Sequence, residues 1–342
     1  MYAKLCHFLS FFWYGMPIVF LLFKKIYNMA NLNNQFLQFN IDLLITQTKR
    51  DRMMTSRENL RTAIKDYFSK YHPSYTPTFY IQGSYKMNTV IRTKDDTCDL
   101  DDGVYFKSNP DNVSPTVLQS WVKDAVDGIT NSTVIHKKKC ITVDYKAGYN
   151  IDLPVYLFDS DVEDHPNLAV KNEGWRVDDP KEMVEEFSKA KKSSSQLLRI
   201  VRYLKAWCDY KREKMPCGLA MTILAMNNLV SHDRDDIALK NTLIQIERSL
   251  KLSFKCIVPA TPYDNIFENY DEHRRANFMT NLASFIADAT KAVEEEKNMQ
   301  VASELWRKHL GSRFPLAPNE TESQLSKDRL TPIIGKSKPY AE

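Results

Sequence analysis

Glycine is scarce, with only nine in 342 residues, too few for a fold built on several glycine-rich phosphate loops. Cysteine is scattered: Cys6, Cys98, Cys140, Cys208, Cys217 and Cys256 form no CxxC pair and no cluster with the seven histidines. That scatter excludes a zinc ribbon or finger and favours reduced, packed thiols over a disulfide framework. Charge of one sign is lacking too, because 47 lysines and arginines against 43 aspartates and glutamates leave +4. Such a balance does not make nucleic acid a default partner. No GxSxG elbow occurs, and Gly335-Lys336-Ser337 is no P-loop because Leu330 stands where the first glycine belongs. What remains is an ordinary globular composition, 43% hydrophobic and 26% charged, with length for two modest domains.

One long apolar run stands out, Leu5 to Phe23, nineteen residues flanked by Lys4 and by Lys24-Lys25. As a helix it would be about 28 Å long, enough to span a bilayer in the manner of a signal anchor. Met29, however, opens a polar, ordinary-looking start. The preferred expectation is that residues 1–28 are an upstream extension from too early an initiation codon, and that the protein is cytoplasmic, with membrane anchoring through residues 5–23 as the alternative.

From Met53 the pattern is helical. Thr55-Ser-Arg-Glu58 reads as a capping box, Leu60, Ile64, Tyr67, Phe68 and Tyr71 share a face, and His72-Pro73 stops the helix. Phe79–Ile91, Cys98–Phe106, Val134–Val143 and Asn150–Phe158 read as strands, the last two around a Lys146-Ala-Gly148 turn. Asp179-Pro180-Lys181-Glu182 starts another helix, and helical patterns then dominate: Ser195–Tyr210, Leu219–Ser231, Ile237–Leu250 and Asp271–Glu296. A β-rich stretch followed by an α-rich one predicts an α+β domain, then a helical domain. The expected division is residues 1–28 as the hydrophobic extension, 29–180 as the core with N-terminal helices, 181–318 as the helical domain and 319–342 as a flexible tail.

Acid is concentrated where a strand is expected, in Cys98-Asp99-Leu100-Asp101-Asp102-Gly103, which is costly unless something positive compensates. Strand alternation puts Asp99 and Asp101 on one face. Two carboxylates side by side suit a hard divalent cation that shares its shell with substrate phosphates, although a DxD alone is more often a solvated acidic turn. An EF-hand fails by register, since Cys98 and Leu100 stand where oxygen ligands belong. Upstream lies Gln82-Gly83-Ser84-Tyr85 at a strand-to-helix junction, which presents backbone N–H groups and a hydroxyl to an anion, or is a plain tight turn. Further on, Ile151, Leu153, Val155 and Leu157 alternate, which turns Asp152 to the opposite face. Three converging carboxylates suit a two-metal site for phosphoryl or nucleotidyl transfer.

In the helical part, Leu197, Leu198, Ile200, Val201, Leu204, Trp207 and Cys208 form a stripe that also contains Lys205, which must snorkel or meet an anion. Arg199 and Arg202 lie off that stripe and read as solvated surface. Lys137-Lys138-Lys139, without interleaved aromatics, reads as a solvated strand edge rather than a nucleic-acid patch.

GS, then DxD, then one aspartate on a later strand, then helices resembles the polymerase-beta-like nucleotidyltransferases. Ile81-Gln-Gly-Ser-Tyr-Lys-Met-Asn-Thr-Val90, Asp99-Leu-Asp-Asp-Gly-Val-Tyr-Phe106, Val143-Asp-Tyr-Lys-Ala-Gly-Tyr-Asn-Ile-Asp-Leu-Pro-Val-Tyr156 and Leu305-Trp-Arg-Lys-His-Leu-Gly-Ser-Arg-Phe-Pro315 narrow the resemblance to the bacterial CD-NTases, relatives of cyclic GMP–AMP synthase and oligoadenylate synthetase. It covers residues 30–318. Asn88 stands where many relatives have glycine, and Cys217 replaces a serine common in the Pro216-Cys-Gly-Leu219 segment.

The resemblance implies a mixed sheet with helices, followed by an oligoadenylate-synthetase-like helical domain, in a bilobed cage with nucleotides in the cleft. It further implies a magnesium-dependent enzyme, with manganese as the substitute metal, that makes a cyclic di- or trinucleotide from NTPs (ATP, and GTP, UTP or CTP) with release of pyrophosphate in antiphage (CBASS) signalling. Asp99, Asp101 and Asp152 take the catalytic and metal-binding roles, Gln82 a nucleotide-binding role, Gly83 and Ser84 the donor phosphates, and Lys205 the donor triphosphate. The product acts on a separate effector protein, and a regulatory or conjugating partner at the C-terminal tail is a further expectation. No stable nucleic-acid partner is expected. The alternatives are a linear oligoadenylate or RNA-tailing polymerase and a catalytically silent scaffold.

Overall fold

The computed structural model describes residues 29–129 and 133–318; the run at 5–23 and the tail at 319–342 lie outside them. The described chain begins with α1 (Asn33–Asp42) and the long α2 (Gln47–Tyr71). Helix α2 starts eight residues before the expected box: Thr46 is the cap and accepts from the Lys49 N–H, whereas the Thr55 hydroxyl bonds back to Asp51 O within the helix. His72 ends it, as the following proline requires.

An eight-stranded mixed sheet follows. Its strands are β1 (Pro77–Gln82), β2 (Cys98–Phe106), β3 (Thr133–His136), β4 (Ile141–Tyr145), β5 (Tyr149–Leu153), β6 (Val155–Leu157), β7 (Asn167–Val170) and β8 (Gly174–Val177). β2 is central. β1 pairs with it antiparallel, while β5 and β6 pair with it in parallel, one after the other. Pro154 divides those two strands because it has no N–H to give, and along the edge away from β2 the first pairs with β4 and the second with β7. Two single strands expected from the sequence are therefore four: the chain also turns at Lys137–Cys140, where β3 and β4 form a hairpin. The one-turn α3 (Gly83–Lys86) follows β1 where strand had been expected to continue, and α4 (Pro115–Val126), β7 and β8 were not expected, although Ser114-Pro115 caps α4 as Asp179-Pro180 starts the later helix.

One sheet face packs on α2 and α4 through Leu60, Ile64, Phe68, Leu118 and Val122 against Leu100, Val104, Phe106, Ile151 and Leu153. Asp102, fully buried on this face, is the costly acid the sequence announced. The Arg61 guanidinium compensates it with two hydrogen bonds of 2.7 and 2.6 Å.

The helical lobe comprises α5 (Pro180–Ser193), α6 (Gln196–Lys211), α7 (Gly218–Asn228), α8 (Asp235–Leu252), α9 (Glu272–Thr290), a π-turn at Lys291–Glu295 and α10 (Met299–Leu310). Asp179 caps α5 as expected, accepting from the N–H groups of Lys181 and Glu182. Helix α1 packs here rather than on the sheet: Phe36 meets Tyr203, Trp306 and Phe314 edge-on. Arg199 and Arg202 are not solvated surface. Arg199 forms two hydrogen bonds to Asp235, at 2.6 and 2.8 Å, and Arg202 reaches Asn40 Oδ1 and the Asn88 carbonyl. Their partners lie far away in sequence, so a helical wheel could not show them. Among the described residues no helix is long and apolar enough to cross a membrane.

Candidate active site

The sheet's other face carries a polar row across four strands. Gln82 on β1 is the register partner of Asp101 on β2, Asp101 of Asp152 on β5, and Asp152 of Thr142 on β4. Paired residues point to the same side of a sheet, and Asp99, two residues before Asp101, shares it. The strands thus bring Asp99, Asp101 and Asp152 together. All three line one cavity of about 800 Å³ between sheet and helical lobe.

The three acids have unequal surroundings. Asp99 Oδ1 accepts from the Asn150 amide at 3.3 Å, and Asp152 Oδ1 accepts from the Thr142 hydroxyl. Asp101 has no hydrogen-bond donor among the described side chains, and burial, then the charges of Asp152 and Asp99, push its carboxyl up to about 7. Asp99 is raised by the same causes, burial first and Asp152 next. A trio of carboxylates this short of positive charge fits a hard divalent cation, which takes oxygen ligands.

The three aspartates do not close on one another as tightly as a second group does. His165, Asp179 and Glu182 offer ligand atoms all within 4.8 Å. Those atoms are already engaged. His165 Nδ1 is 3.0 Å from Asp179 Oδ2, Glu182 accepts from the Thr261 N–H and the Tyr263 hydroxyl, and Asp179 Oδ1 caps α5. This group is a latch between the start of α5 and the Thr261 loop.

Gly83 and Ser84 follow Gln82 on the cavity wall. Gly83 has φ +60°, and a Cβ there would meet Asp101 Oδ2 at 2.1 Å, so glycine is required on both conformational and steric grounds. The helix after it is a single turn, so its dipole adds little and the anion-binding potential rests on the loop's own N–H groups and the Ser84 hydroxyl. Gln82 also lines the cavity, but its amide is tied to the wall: Nε2 donates to Tyr156 OH, and Oε1 accepts from Tyr105 OH, both at 3.2 Å. Asn88 adopts φ +58°, a conformation that glycine holds more readily.

Lys205 enters from α6. Its ammonium donates to the Thr89 carbonyl and hydroxyl at 3.1 and 3.3 Å, and its stem lies under Gly218. Burial pulls it down to about 8 against the opposing pull of Asp101. It lines the main cavity and a second recess of about 350 Å³ with Ser84, Asp99 and Arg212. Lys205 therefore faces the carboxylates instead of snorkelling outward. Two residues the sequence reading set aside also reach the site: Lys137 stands 3.5 Å from Asp152 Oδ1, and Lys139 lines the cavity. Their signal was the lysine run itself, misplaced because the hairpin turn carries no glycine or proline. Asp178, another cavity residue, accepts from Tyr156 OH at 2.9 Å and went unnoticed.

Comparison with known proteins agrees with this geometry. Residues 77–156 match the family model described as Cyclic GMP-AMP synthase DncV-like, nucleotidyltransferase domain. A cyclic GMP-AMP synthase of Escherichia albertii is 28% identical over 190 residues, which cover 51% of this chain and 42% of that protein. The fold matches the crystal structure of Vibrio cholerae DncV cyclic AMP-GMP synthase in complex with the linear intermediate 5′ pppA(3′,5′)pG, with a TM-score of 0.74 and 18% identity, over 85% of this chain and 99% of that one. It also matches the 3′-deoxy GTP bound form of Escherichia coli DncV, with a TM-score of 0.71 and 19% identity, over 83% and 97% of the two chains.

Proposed function

From the premise that residues 77–156 form a DncV-like nucleotidyltransferase domain, we propose that the protein joins NTPs through 3′ phosphodiester bonds, releases pyrophosphate and closes the product into a cyclic di- or trinucleotide. The observation that carries this reading is the row Gln82–Asp101–Asp152–Thr142, which with Asp99 sets three carboxylates against a cavity of about 800 Å³, large enough for nucleotides.

Asp99 and Asp101 would hold a divalent cation for the donor triphosphate, and all three aspartates would hold a second. When bound, magnesium at this set acidifies the attacking 3′ hydroxyl and offsets the charge of the leaving pyrophosphate. The chain's own part is orientation. Gly83 and Ser84 direct N–H groups and a hydroxyl at the donor phosphates, and Lys205 adds a buried positive charge beside them. Gln82, held by Tyr105 and Tyr156, fixes the wall next to Asp101. ATP, with GTP, UTP or CTP beside it, is the substrate class. The role that fits a cyclic product is antiphage signalling through a separate effector protein.

The test is incubation of protein beginning at Met29 with α-labelled NTPs and magnesium, phosphatase digestion and mass spectrometry of the resistant species, beside an Asp99→Ala/Asp101→Ala control. A resistant cyclic product absent from the control supports the proposal. Linear 3′-extended products turn the reading to a polymerase. No product under any metal, with the protein folded, points to a missing activator or a silent scaffold.

A further inference from the structure

Lys137 and Thr142 both act on one oxygen of one aspartate. Asp152 Oδ1 takes the Thr142 hydroxyl and lies 3.5 Å from the Lys137 ammonium. The two neighbours differ in freedom. Thr142 is fixed as the antiparallel partner of Asp152 within β4 and is 2% exposed. Lys137 sits in the β3–β4 turn, its N–H bonded to Cys140 O and its side chain 47% exposed, so it can swing outward. Neither Asp99 nor Asp101 has a lysine or arginine within ion-pair distance among the described residues.

We propose that Lys137 is a resident counter-ion that holds the place of a divalent cation at Asp152 while the carboxylates are metal-free, and that leaves when the cation arrives. The inference rests on the two-cation reading above. One positive charge at 3.5 Å partly neutralises an acid crowded by two others, and a divalent ion on the same carboxylate brings twice the charge at closer range. The two positive groups repel, so the mobile one moves. Thr142 stays and keeps the carboxylate aimed as the second partner of a ligand typically does. Lys137 thus lowers metal affinity at rest, and Thr142 is the positioning residue.

The experiment is a Mn²⁺ titration of the metal-stripped full chain without nucleotide, read by electron paramagnetic resonance, so that turnover plays no part. Lys137→Met, at a half-exposed turn position, is expected to bind Mn²⁺ on the order of tenfold more tightly than the wild type. Lys137→Arg, which keeps the charge, should behave like the wild type, and Asp99→Ala/Asp101→Ala supplies the baseline. Mn²⁺ binding that depends on the aspartates but is unchanged or weakened by Lys137→Met overturns the role of Lys137 alone; a raised KM for NTP in that variant would then mark a substrate-binding lysine. Absence of aspartate-dependent binding in every variant overturns both this role and the two-cation reading.

Discussion

Gly83 and Asp101 stand so close that a methyl group on the glycine would lie 2.1 Å from the Asp101 carboxylate oxygen. The Gly83 turn and the Asp101 carboxylate are therefore one steric unit, joined through the pairing of Gln82 with Asp101.

Gly83→Ala should displace Asp101 as well as strain a backbone at φ +60°. We expect a stability loss of about 1–3 kcal/mol and a turnover loss on the order of 100-fold, because misplacement by an ångström costs that much. Thermal melting and product formation, measured on the same preparation, separate the two effects.

Asp101→Asn addresses the raised carboxyl. In the folded, metal-free protein this group titrates near 7, above the ~3.9 of an unfolded aspartate. The folded state therefore binds the proton more tightly, so the stability the protonated acid confers is complete below about pH 4 and is lost as pH rises toward 7. Without metal, Asp101→Asn should melt higher than the wild type at pH 8, with an advantage that narrows toward pH 4. Saturating Mn²⁺ should reverse the order at pH 8. A pH series of melting curves with and without metal checks both statements.

Arg61→Met leaves Asp102, which is 0% exposed, without its partner. Breaking a buried pair from one side costs about 3–5 kcal/mol, and the expected result is a large fall in the denaturant midpoint. The double change Arg61→Met/Asp102→Leu should recover most of it. Equal midpoints for the single and double variants would refute the account.

Lys205→Ala should raise the KM for NTP roughly 10- to 100-fold, the loss expected for a charge-assisted hydrogen bond. Lys205→Arg should fail to rescue it, because the lysine stem already lies close under Gly218 and a planar guanidinium needs more room. Steady-state kinetics of the two variants decide this.

The carboxylates were legible because strand alternation is strict: Asp99 and Asp101 flank Leu100, and Asp152 sits between Ile151 and Leu153, so the buried face names the exposed one. The start of α5 was legible from Asp179-Pro180 because caps are local chemistry. What failed was non-local or lacked a punctuating residue. The β3–β4 turn is built on Lys137-Lys138-Lys139 without glycine or proline, so two strands read as one and the lysines looked remote from Asp152. Arg199 and Arg202 looked exposed because Asp235 and Asn88, their partners, come from other parts of the chain. The cap of α2 was misplaced because Thr46 has no glutamate three residues later, whereas Thr55 does.

Helix α1 has a consequence for how the protein is made. Its Phe36 is enclosed by Tyr203, Trp306 and Phe314, and Leu32 N–H donates to Asp236 while Arg234 donates to Ala30 O. The helical lobe thus draws on both ends of the described chain, with the sheet threaded between them. During synthesis the sheet can assemble as soon as β8 leaves the ribosome, but α1 must wait for some 270 further residues before its apolar face is covered. Long-range closure of this kind is slow. A fragment begun at α5 would lack α1 and expose the Tyr203–Phe314 surface, so the helical lobe expressed by itself is expected to aggregate unless residues 29–43 are supplied in trans.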